Sequence, residues 1–361
     1  MLPMGFLGSF ECMRIREANK EDRSIWDSFA AMQGGSFGYY FDCRHLSDNV
    51  HQLMVETDEH ELIGICRFDK EERPLYSTLR INGFLFRRPT PQKERYHATR
   101  EFLDYIEKNY SDRCSTFIVQ ESGLDFPGND SNPALLDHGF RFRNYVKNGL
   151  PCSHILPLKA PFEETIWKVM WSQKLRKDLN KVARSGVKVI QDKDFKYLDI
   201  YLDMYAANYK RHKLSPPNRD RIIKEMNVFK DKIKLFVAIY DEQPIAILKC
   251  NYSHSTCYLS GVGSYTKGTD DSNKLCYKVA IEDACNTGYQ FADFGYSYTE
   301  GLANLKDRFK FIRIPSRMYE KRYSVPRAFF ELTPGLIKSL FQNKTYVMKN
   351  GKVICDRIIH W

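Results

Sequence analysis

The sequence predicts an α+β protein built from two similar mixed α/β units in tandem, each with a mostly antiparallel sheet flanked by helices. Residues 51–86 and 235–261 both contain three strand-like stretches with an acidic turn after the first one. Each of these meanders is followed by a helical pattern and one further strand. A cluster of prolines, Pro151, Pro157 and Pro161, separates the two units, and 361 residues leave room for two domains.

The first unit begins with apolar residues at helical spacing and then changes to strand-like patterns. A Gly34-Gly35 pair ends the first predicted helix, and Pro89 and Pro91 stop the third strand. We therefore predict, in order, a helix over 21–32, strands over 51–56, 62–68 and 77–86, a helix over 96–110, a strand over 116–120 and a short helix over 134–137.

The second unit places its helices first. Pro216-Pro217 precedes the third of these helices, which is a favoured position for proline, and Asp241-Glu242 forms the acidic turn of the second meander. We predict helices over 162–184, 198–211 and 219–229, strands over 235–240, 245–252 and 257–261, a helix over 272–285 and a strand over 291–294.

These patterns divide the chain into an extension (1–13), a first domain (14–158), a second domain (159–325) and a C-terminal appendage (326–361). In the appendage, residues 330–341 could form an amphipathic helix that packs on its own domain or touches a membrane surface. Residues 349–351 read as a hairpin turn.

Composition limits the environment and the partners of the chain. A formal charge of +10 and a pI near 9.0 favour anionic partners such as nucleic acid, nucleotide or a lipid headgroup. The ten cysteines are scattered singly, so neither a metal site nor a disulfide framework is indicated. With no run of about 18 apolar residues, we expect a cytoplasmic monomer, with possible peripheral contact at the inner membrane surface.

A strongly basic helix is predicted around Trp171. Apolar residues recur every three to four positions, while the cations Lys174, Lys177, Lys181 and Arg184 fall on another face. Like charges four residues apart destabilise a helix by a few tenths of a kcal/mol per pair, and an anionic ligand would offset that cost. The alternative is a solvated face without a ligand.

The stretch 293–310 is the main candidate for chemistry. A short aromatic strand ends at Asp293-Phe294-Gly295, and hydroxyl groups and then cations follow it. This pattern indicates a strand that opens into a site. The alternative is a strand that leaves the sheet into a solvated basic loop.

Both stretches resemble FemABX-like acyltransferases. Residues 167–187, from Trp167 to the Ser185-Gly186-Val187 end, resemble the helix that opens the second domain of that family, and Asp293-Phe294-Gly295 followed by Gly301-Leu302, Leu305-Lys306 and Phe309 is similar to its closing motif. The resemblance covers roughly residues 14 to 322. It implies tandem GNAT-like domains and the transfer of an activated acyl group; the best-known members move an amino acid from aminoacyl-tRNA to an amine on a peptidoglycan precursor.

The resemblance also implies roles for individual residues. Lys306 corresponds to the lysine that assists transfer near the donor ester, and Arg44 and Tyr40 fall where the first domain contributes to the acceptor cleft. Two positions depart from the family pattern: Leu305 replaces a phenylalanine and Lys310 replaces a glycine. These two departures argue against a terminal nucleotide of the donor being bound in the same way as in the best-known members.

Chemistry supports the same residues independently. Aminolysis of an ester or thioester passes through an oxyanion, and one donor aimed at it contributes about 2.7 to 4 kcal/mol. Lys306 can supply that donor. Asp293 can accept the proton of the attacking amine, and Tyr296 or Tyr298 can protonate the leaving group; the alternative for Asp293 is a structural cap at the strand end.

The donor is left open between aminoacyl-tRNA and an acyl-CoA thioester, with no bound cofactor. Acetyl-CoA enzymes place a glycine-rich turn before a helix so that backbone N–H groups bind pyrophosphate. Here only Gly268 fits, and Asp270 and Asp271 argue against conventional CoA binding unless they act simply as N-terminal helix residues. The acceptor would be an amine on a small molecule, a peptide or a cell-wall or lipid-linked precursor. A non-catalytic RNA-binding or scaffold protein is the alternative class.

Overall fold

The computed structural model describes residues 13–72, 77–111, 114–121, 132–143, 152–264, 270–297, 299–315, 317–323, 346–349 and 352–355. These residues form strands that are numbered in chain order as β1 (Met13–Glu17), β2 (Val50–Thr57), β3 (Leu62–Glu72), β4 (Ser77–Phe86), β5 (Cys114–Glu121), β6 (Arg141–Arg143), β7 (Cys152–Pro157), β8 (Lys188–Asp192), β9 (Ile233–Tyr240), β10 (Gln243–Ser253), β11 (Thr256–Ser264), β12 (Phe291–Ser297), β13 (Ile312–Pro315), β14 (Arg317–Arg322), β15 (Tyr346–Lys349) and β16 (Lys352–Cys355).

The helices of the described residues flank these strands. They are α1 (Arg23–Met32), α2 (Gln92–Tyr110), α3 (Pro133–Asp137), α4 (Gln173–Arg184), α5 (Leu198–Arg211), α6 (Arg219–Val228), α7 (Asp270–Asn286) and α8 (Glu300–Arg308), with a π-helical segment over Glu163–Met170. No described helix is both long enough and apolar enough to cross a bilayer.

Two seven-stranded sheets carry the fold. The first has the order β1-β2-β3-β4-β5-β14-β6 and the second has the order β13-β7-β12-β11-β10-β9-β8. All neighbours are antiparallel except β4 with β5 and β11 with β12, which are parallel. In both sheets the parallel pair is separated by one helix, α2 or α7, as a parallel crossover requires. The predicted tandem, mostly antiparallel mixed α/β architecture is confirmed.

The two sheets exchange strands. β7 pairs with β12 and β13 in the second sheet, although it lies within the predicted first domain (14–158). β14 pairs with β5 and β6 in the first sheet, although it lies within the predicted second domain (159–325). The sequence boundary at the proline cluster therefore falls after a strand that already belongs to the second sheet.

Apolar side chains cover both faces of the second sheet. On one face, helices α4 and α7 pack over residues such as Phe236 and Leu248. On the other face, α5 and α6 pack over Leu235 and Ile247, and Tyr40 from the first half of the chain joins that cluster. The first sheet has its own core around Phe68, where strands β2 to β5 meet α2.

The predicted helix over 162–184 is interrupted at Trp171. This residue has an extended backbone (ψ 135°), and its buried indole N–H donates to the carbonyl of Phe309 at 3.0 Å. Ser172 then starts α4, because its hydroxyl accepts the backbone N–H of Leu175 at 3.3 Å. A tertiary contact and a new N-cap thus divide one amphipathic pattern into two segments.

The stretch after β12 contains the helix α8, which the sequence pattern did not predict. Thr299 caps it by accepting the N–H of Leu302 at 3.3 Å. The fully buried residues of the helix are Ala303 and Lys306, so its buried face includes a charged side chain. In the appendage, β15 and β16 pair around the predicted turn, whereas the possible helix over 330–341 lies outside the described residues.

Candidate active site

A β-bulge shapes the end of β12. The register with β7 shifts between Asp293 and Tyr296, and Gly295 has φ +66°, a left-handed conformation that favours glycine. The Gly295 N–H donates to Oδ1 of Asp293 at 2.6 Å, and Ser153 on β7 donates to the same oxygen at 3.2 Å. The carboxylate of Asp293 therefore stabilises the bulge through a hydrogen bond within the Asp-Phe-Gly stretch itself.

β11 and β12 separate at the same point. Within the described residues they pair in parallel only from Thr256 with Phe291 to Tyr258 with Asp293. β11 then continues with β10 as far as Ser264, and β12 continues with β7 as far as Ser297. A gap between two parallel strands opens beside Asp293.

Helix α5 closes over the separated part of β11. A Cβ atom at Gly263 would lie 2.7 Å from Cβ of Met204, so glycine is needed for this close approach. Two α5 side chains bind the carbonyls of β11: Asn208 donates to Val262 at 3.2 Å and Arg211 donates to Ser264 at 2.8 Å. One side of the gap is thereby held in place.

Lys306 reaches the bulge from α8. Only 2% of the residue is exposed. Its ammonium donates to the carbonyl of Gly295 at 3.0 Å and to that of Tyr296 at 2.8 Å, and it lies 5.1 Å from the centre of the Phe294 ring. An ammonium has three N–H donors, so two are used by these carbonyls and one remains, while the Phe294 ring adds a cation–π contact.

Burial brings the two charged groups of the site close to neutral pH. Desolvation lowers the pKa of Lys306 to about 8, although the negative charge of Asp293 opposes this shift. Desolvation also raises the pKa of Asp293 to about 6, opposed by the hydrogen bonds from Gly295 and Ser153. At pH 7 the site therefore contains a lysine cation and a carboxylate that can each exchange a proton.

The two predicted tyrosines are placed differently. The backbone of Tyr296 accepts one of the Lys306 hydrogen bonds, and its side chain is half-buried. Tyr298 lies outside the described residues. The proposed role of a phenol in protonating the leaving group stays a prediction for both.

A buried polar cluster behind Lys306 was missed by sequence reasoning. His154 and Ser297 are fully buried, with Nδ1 of the imidazole 3.4 Å from Oγ of Ser297. Nε2 lies 3.7 Å from Oδ1 of Asp307 and 3.9 Å from Sγ of Cys152. Because β7 was interpreted as a connection between domains, no pattern drew attention to the alternation of Cys152, His154 and Leu156 along it.

The predicted anion-binding residues of α4 form one exposed stripe. Lys174, Lys177, Lys181 and Arg184 are all exposed, whereas Leu175 and Leu179 on the opposite face are buried. The helix's single acidic residue, Asp178, pairs with Arg308 at 2.8 Å. This ion pair neutralises Asp178 and places the stripe beside the end of α8, two residues after Lys306.

The donor residues near α7 are only partly described. Gly268 lies outside the described residues, and α7 begins at Asp270. Asp271 is exposed and pairs with Lys274 at 2.5 Å in the first turn of the helix. This pairing is typical of an ordinary helix start.

The two predicted acceptor residues make structural contacts. Tyr40 is buried at the junction of the two halves, where its hydroxyl accepts the N–H of His254 at 3.3 Å. Nearby, Ser253 donates to the carbonyl of Gly35 at 3.1 Å. Arg44 is half-buried, donates to the carbonyl of Ala18 at 3.3 Å and lies over the Phe41 ring. Their contribution to an acceptor cleft stays a prediction.

The second half of the chain matches a known class of domain. Residues 172–309, from the N-cap of α4 to the end of the Lys306 helix, match the family model of the acetyltransferase (GNAT) domain. Within the described residues, no group of three or more His, Cys, Asp or Glu side chains is arranged to hold a metal ion.

Solved structures extend the likeness to almost the whole chain. A crystal structure of FemX superposes with a TM-score of 0.69 at 12% sequence identity, covering 88% of this chain and 99% of that one. L-PGS from Bacillus licheniformis gives 0.55 at 14% identity (87% and 96% covered), and a tandem GNAT protein from the clavulanic acid biosynthesis pathway gives 0.51 at 11% (86% and 98%). No curated protein matches the chain in sequence.

These comparisons concern the fold. The predicted resemblance to FemABX-like proteins with tandem GNAT-like domains is confirmed at that level, over both sheets. At 11 to 14% identity, the likeness does not carry the substrates of those proteins to this chain.

Proposed function

We propose that this chain is an acyltransferase that moves an activated acyl or aminoacyl group to an amine. The observation that carries the proposal is the Lys306 ammonium, which is buried and held on two carbonyls at the point where β11 and β12 separate, beside Asp293. The match of residues 172–309 to a GNAT acetyltransferase domain supports the same class of reaction.

The reaction follows from these charges. The amine attacks the carbonyl carbon of an ester or thioester, and a C–N bond forms while negative charge moves onto the carbonyl oxygen. The remaining N–H of Lys306 stabilises that oxyanion, an interaction of the kind that contributes about 2.7 to 4 kcal/mol. Asp293 accepts the proton that the amine loses. The C–O or C–S bond then breaks, and Tyr296 or Tyr298 protonates the leaving group.

Aminoacyl-tRNA and acyl-CoA are both candidate donors. The α4 stripe supports a nucleic-acid donor, because exposed cations that neutralise phosphates dominate such binding and make it salt-dependent. The start of α7 carries an acidic residue, Asp271, which would repel the diphosphate of CoA. The acceptor is an amine on a small molecule, a peptide or a cell-wall or lipid-linked precursor.

Transfer assays test the proposal. The purified protein is incubated with charged tRNA or labelled acetyl-CoA and a panel of amines, and the modified amine is detected by mass spectrometry. Lys306→Ala should lower the rate at least as much as removing one oxyanion donor, about 10²- to 10³-fold. The matched control is Lys193→Ala, because Lys193 is exposed and follows β8, which three strands separate from β12 in the second sheet.

A non-catalytic RNA-binding protein is the second candidate, and the α4 stripe is the observation that favours it. Replacing Lys174, Lys177 and Lys181 together by Ala should weaken tRNA binding and reduce its salt dependence. A control variant removes the same charge from the exposed residues Lys193, Lys224 and Lys230. Tight binding with no turnover for any donor would favour the binder, and equal affinity for both variants would remove α4 from the interface.

A further inference from the structure

His154 joins the two elements that form the candidate site. It lies on β7, which is flanked by β12 on one side and by β13 on the other. Its side chain is completely buried. One ring nitrogen faces Ser297 at the end of β12, and the other faces Asp307 on α8, the residue next to Lys306.

The ring contacts one group on each of these elements. Nδ1 lies 3.4 Å from the hydroxyl of Ser297, within hydrogen-bond distance, and the backbone of Gly295 also lies within hydrogen-bonding reach of the ring. Nε2 lies 3.7 Å from a carboxylate oxygen of Asp307, which is contact distance but too long for a hydrogen bond. The imidazole thus fills the space between the strand that presents the carbonyls and the helix that carries the ammonium.

Asp307 is itself held firmly. Both of its oxygens accept from Arg313 on β13, with the shortest distance 2.5 Å, and Arg313 also donates to Glu300 at 3.0 Å near the start of α8. Arg313 is the register partner of His154 between β13 and β7. The frame around the imidazole therefore includes three strands and one helix.

We propose that His154 is a positioning residue for acyl transfer: by filling the space between Ser297 and Asp307 it keeps α8 at a fixed distance from β12 and so holds the Lys306 ammonium on the carbonyls of Gly295 and Tyr296. This inference rests on the proposed function. It assigns His154 no contact with the substrate.

Electrostatics fit this role. Burial, followed by the positive charge of Lys306, lowers the pKa of His154 to about 4, with Asp307 opposing and Arg313 reinforcing the shift. The ring is therefore neutral near pH 7. It fills the space beside the Lys306 ammonium without adding a second positive charge to a desolvated region.

The test compares His154→Ala, His154→Gln and His138→Gln. Glutamine fills much of the space of the imidazole and can still hydrogen-bond to Ser297, whereas alanine leaves a cavity. His138 is a second histidine with a buried side chain, placed beside Glu107 in the first unit, and it serves as a matched control. The measurements are kcat and KM, thermal unfolding, and an NMR titration of ¹³C-labelled lysine side chains, with the Lys306 signal assigned from Lys306→Arg.

We expect His154→Ala to lower kcat by about 10- to 100-fold with little change in KM, as for a misplacement of roughly 1 Å. Water entering the vacated space should raise the Lys306 titration midpoint from about 8 towards its ordinary value of 10.5. His154→Gln should restore most of kcat and the low midpoint, and His138→Gln should change neither.

Two results would overturn the inference. One is an unchanged Lys306 midpoint in both His154 variants. The other is a loss of kcat in His154→Gln that matches His154→Ala. The titration requires no turnover, so a protein that is inactive with every donor would refute the proposed function while the midpoint still decides the role of His154. If His154→Ala fails to fold, a normal midpoint and normal kcat in a folded His154→Val, whose side chain is smaller than the ring, would also count against it.

Discussion

At the scale of single residues, the candidate site depends on two groups whose charges are costly to bury. Asp293 lies at the start of the bulge and Lys306 binds carbonyls at its end. Desolvation lowers the pKa of the lysine and raises that of the carboxylate. Such convergence towards neutral pH is common where a side chain must gain or lose a proton during a reaction.

The pH dependence of the transfer rate should follow these two residues. Below about pH 6 Asp293 is protonated and cannot accept a proton, and above about pH 8 Lys306 loses its charge. We expect a bell-shaped profile of kcat/KM, which reports groups of the free enzyme, with its maximum between these values. Asp293→Asn should lose about 10²- to 10⁴-fold in rate and abolish the acid limb. If the rate of Asp293→Asn still fell below about pH 6, a residue other than Asp293 would be the base.

Stability provides an independent check with a defined sign. The pKa of Asp293 is higher in the folded state than its ordinary 3.8, so between pH 3.8 and about 6 the folded state binds more protons than the unfolded state. The contribution of this residue to the free energy of unfolding therefore falls as pH rises through that window. In urea titrations, Asp293→Asn should show a weaker decline over the same range than the parent protein.

At the scale of elements, β12 and α8 each contain one glycine whose replacement tests the backbone conformation. Gly295 has φ +66° with open space around the position of a Cβ atom, whereas Gly301 lies in α8 without such a φ and also faces open space. The two glycines therefore separate the effect of backbone conformation from the effect of crowding.

Replacing each glycine by alanine should have opposite effects. Gly295→Ala should destabilise the fold by about 1 to 2 kcal/mol, because a non-glycine residue must adopt a left-handed conformation. Gly301→Ala should be neutral or should stabilise by about 0.4 to 1 kcal/mol, since it restricts the unfolded chain. Chemical denaturation measures both, and equal effects of the two changes would show that the Gly295 conformation is not required.

Elements differ in how well the sequence predicts them. Residues 198–211 were predicted as a helix with the bounds that α5 has, because its apolar periodicity and its ends are local. The helix α8 was missed, because its buried face includes the charged Lys306. The break at Trp171 was also missed, since it depends on a hydrogen bond to Phe309, 138 residues away.

The same contrast applies to the candidate site. Lys306 and Asp293 were singled out as candidates from their motif and their chemistry, and their catalytic roles stay predictions. His154 and Ser297 were not singled out, because they approach Lys306 only through the pairing of β7 with β12. β7 is short and lies within the proline cluster. Because prolines are typical of linkers, the sequence predicts a connection between domains there and not a central strand.

At the scale of the whole molecule, the exchange of β7 and β14 makes the two sheets mutually dependent. A chain cut between residues 158 and 159 would leave the first sheet without β14 and would remove β7 from between β12 and β13. We expect neither half to show a cooperative unfolding transition when expressed alone. Co-expression should restore a complex that unfolds cooperatively, as followed by circular dichroism.

A cut after residue 143 is the matched control for this experiment. It keeps β7 with the second sheet but still separates β14 from the first. The C-terminal piece of this second split should therefore be more ordered than residues 159–361. Two independently stable halves in the first split would contradict the mutual dependence of the sheets.

The strand exchange also has a consequence for the order in which the protein can fold on the ribosome. β5 ends at residue 121 and β6 at residue 143, but β14, which pairs with both, begins only at residue 317. At about 5 to 20 residues per second, roughly 10 to 40 seconds pass between the synthesis of β5 and that of β14. During that time the nascent chain presents an open β5 edge, a site for chaperones or for mispairing, and the first sheet is completed only after the Lys306 helix has emerged.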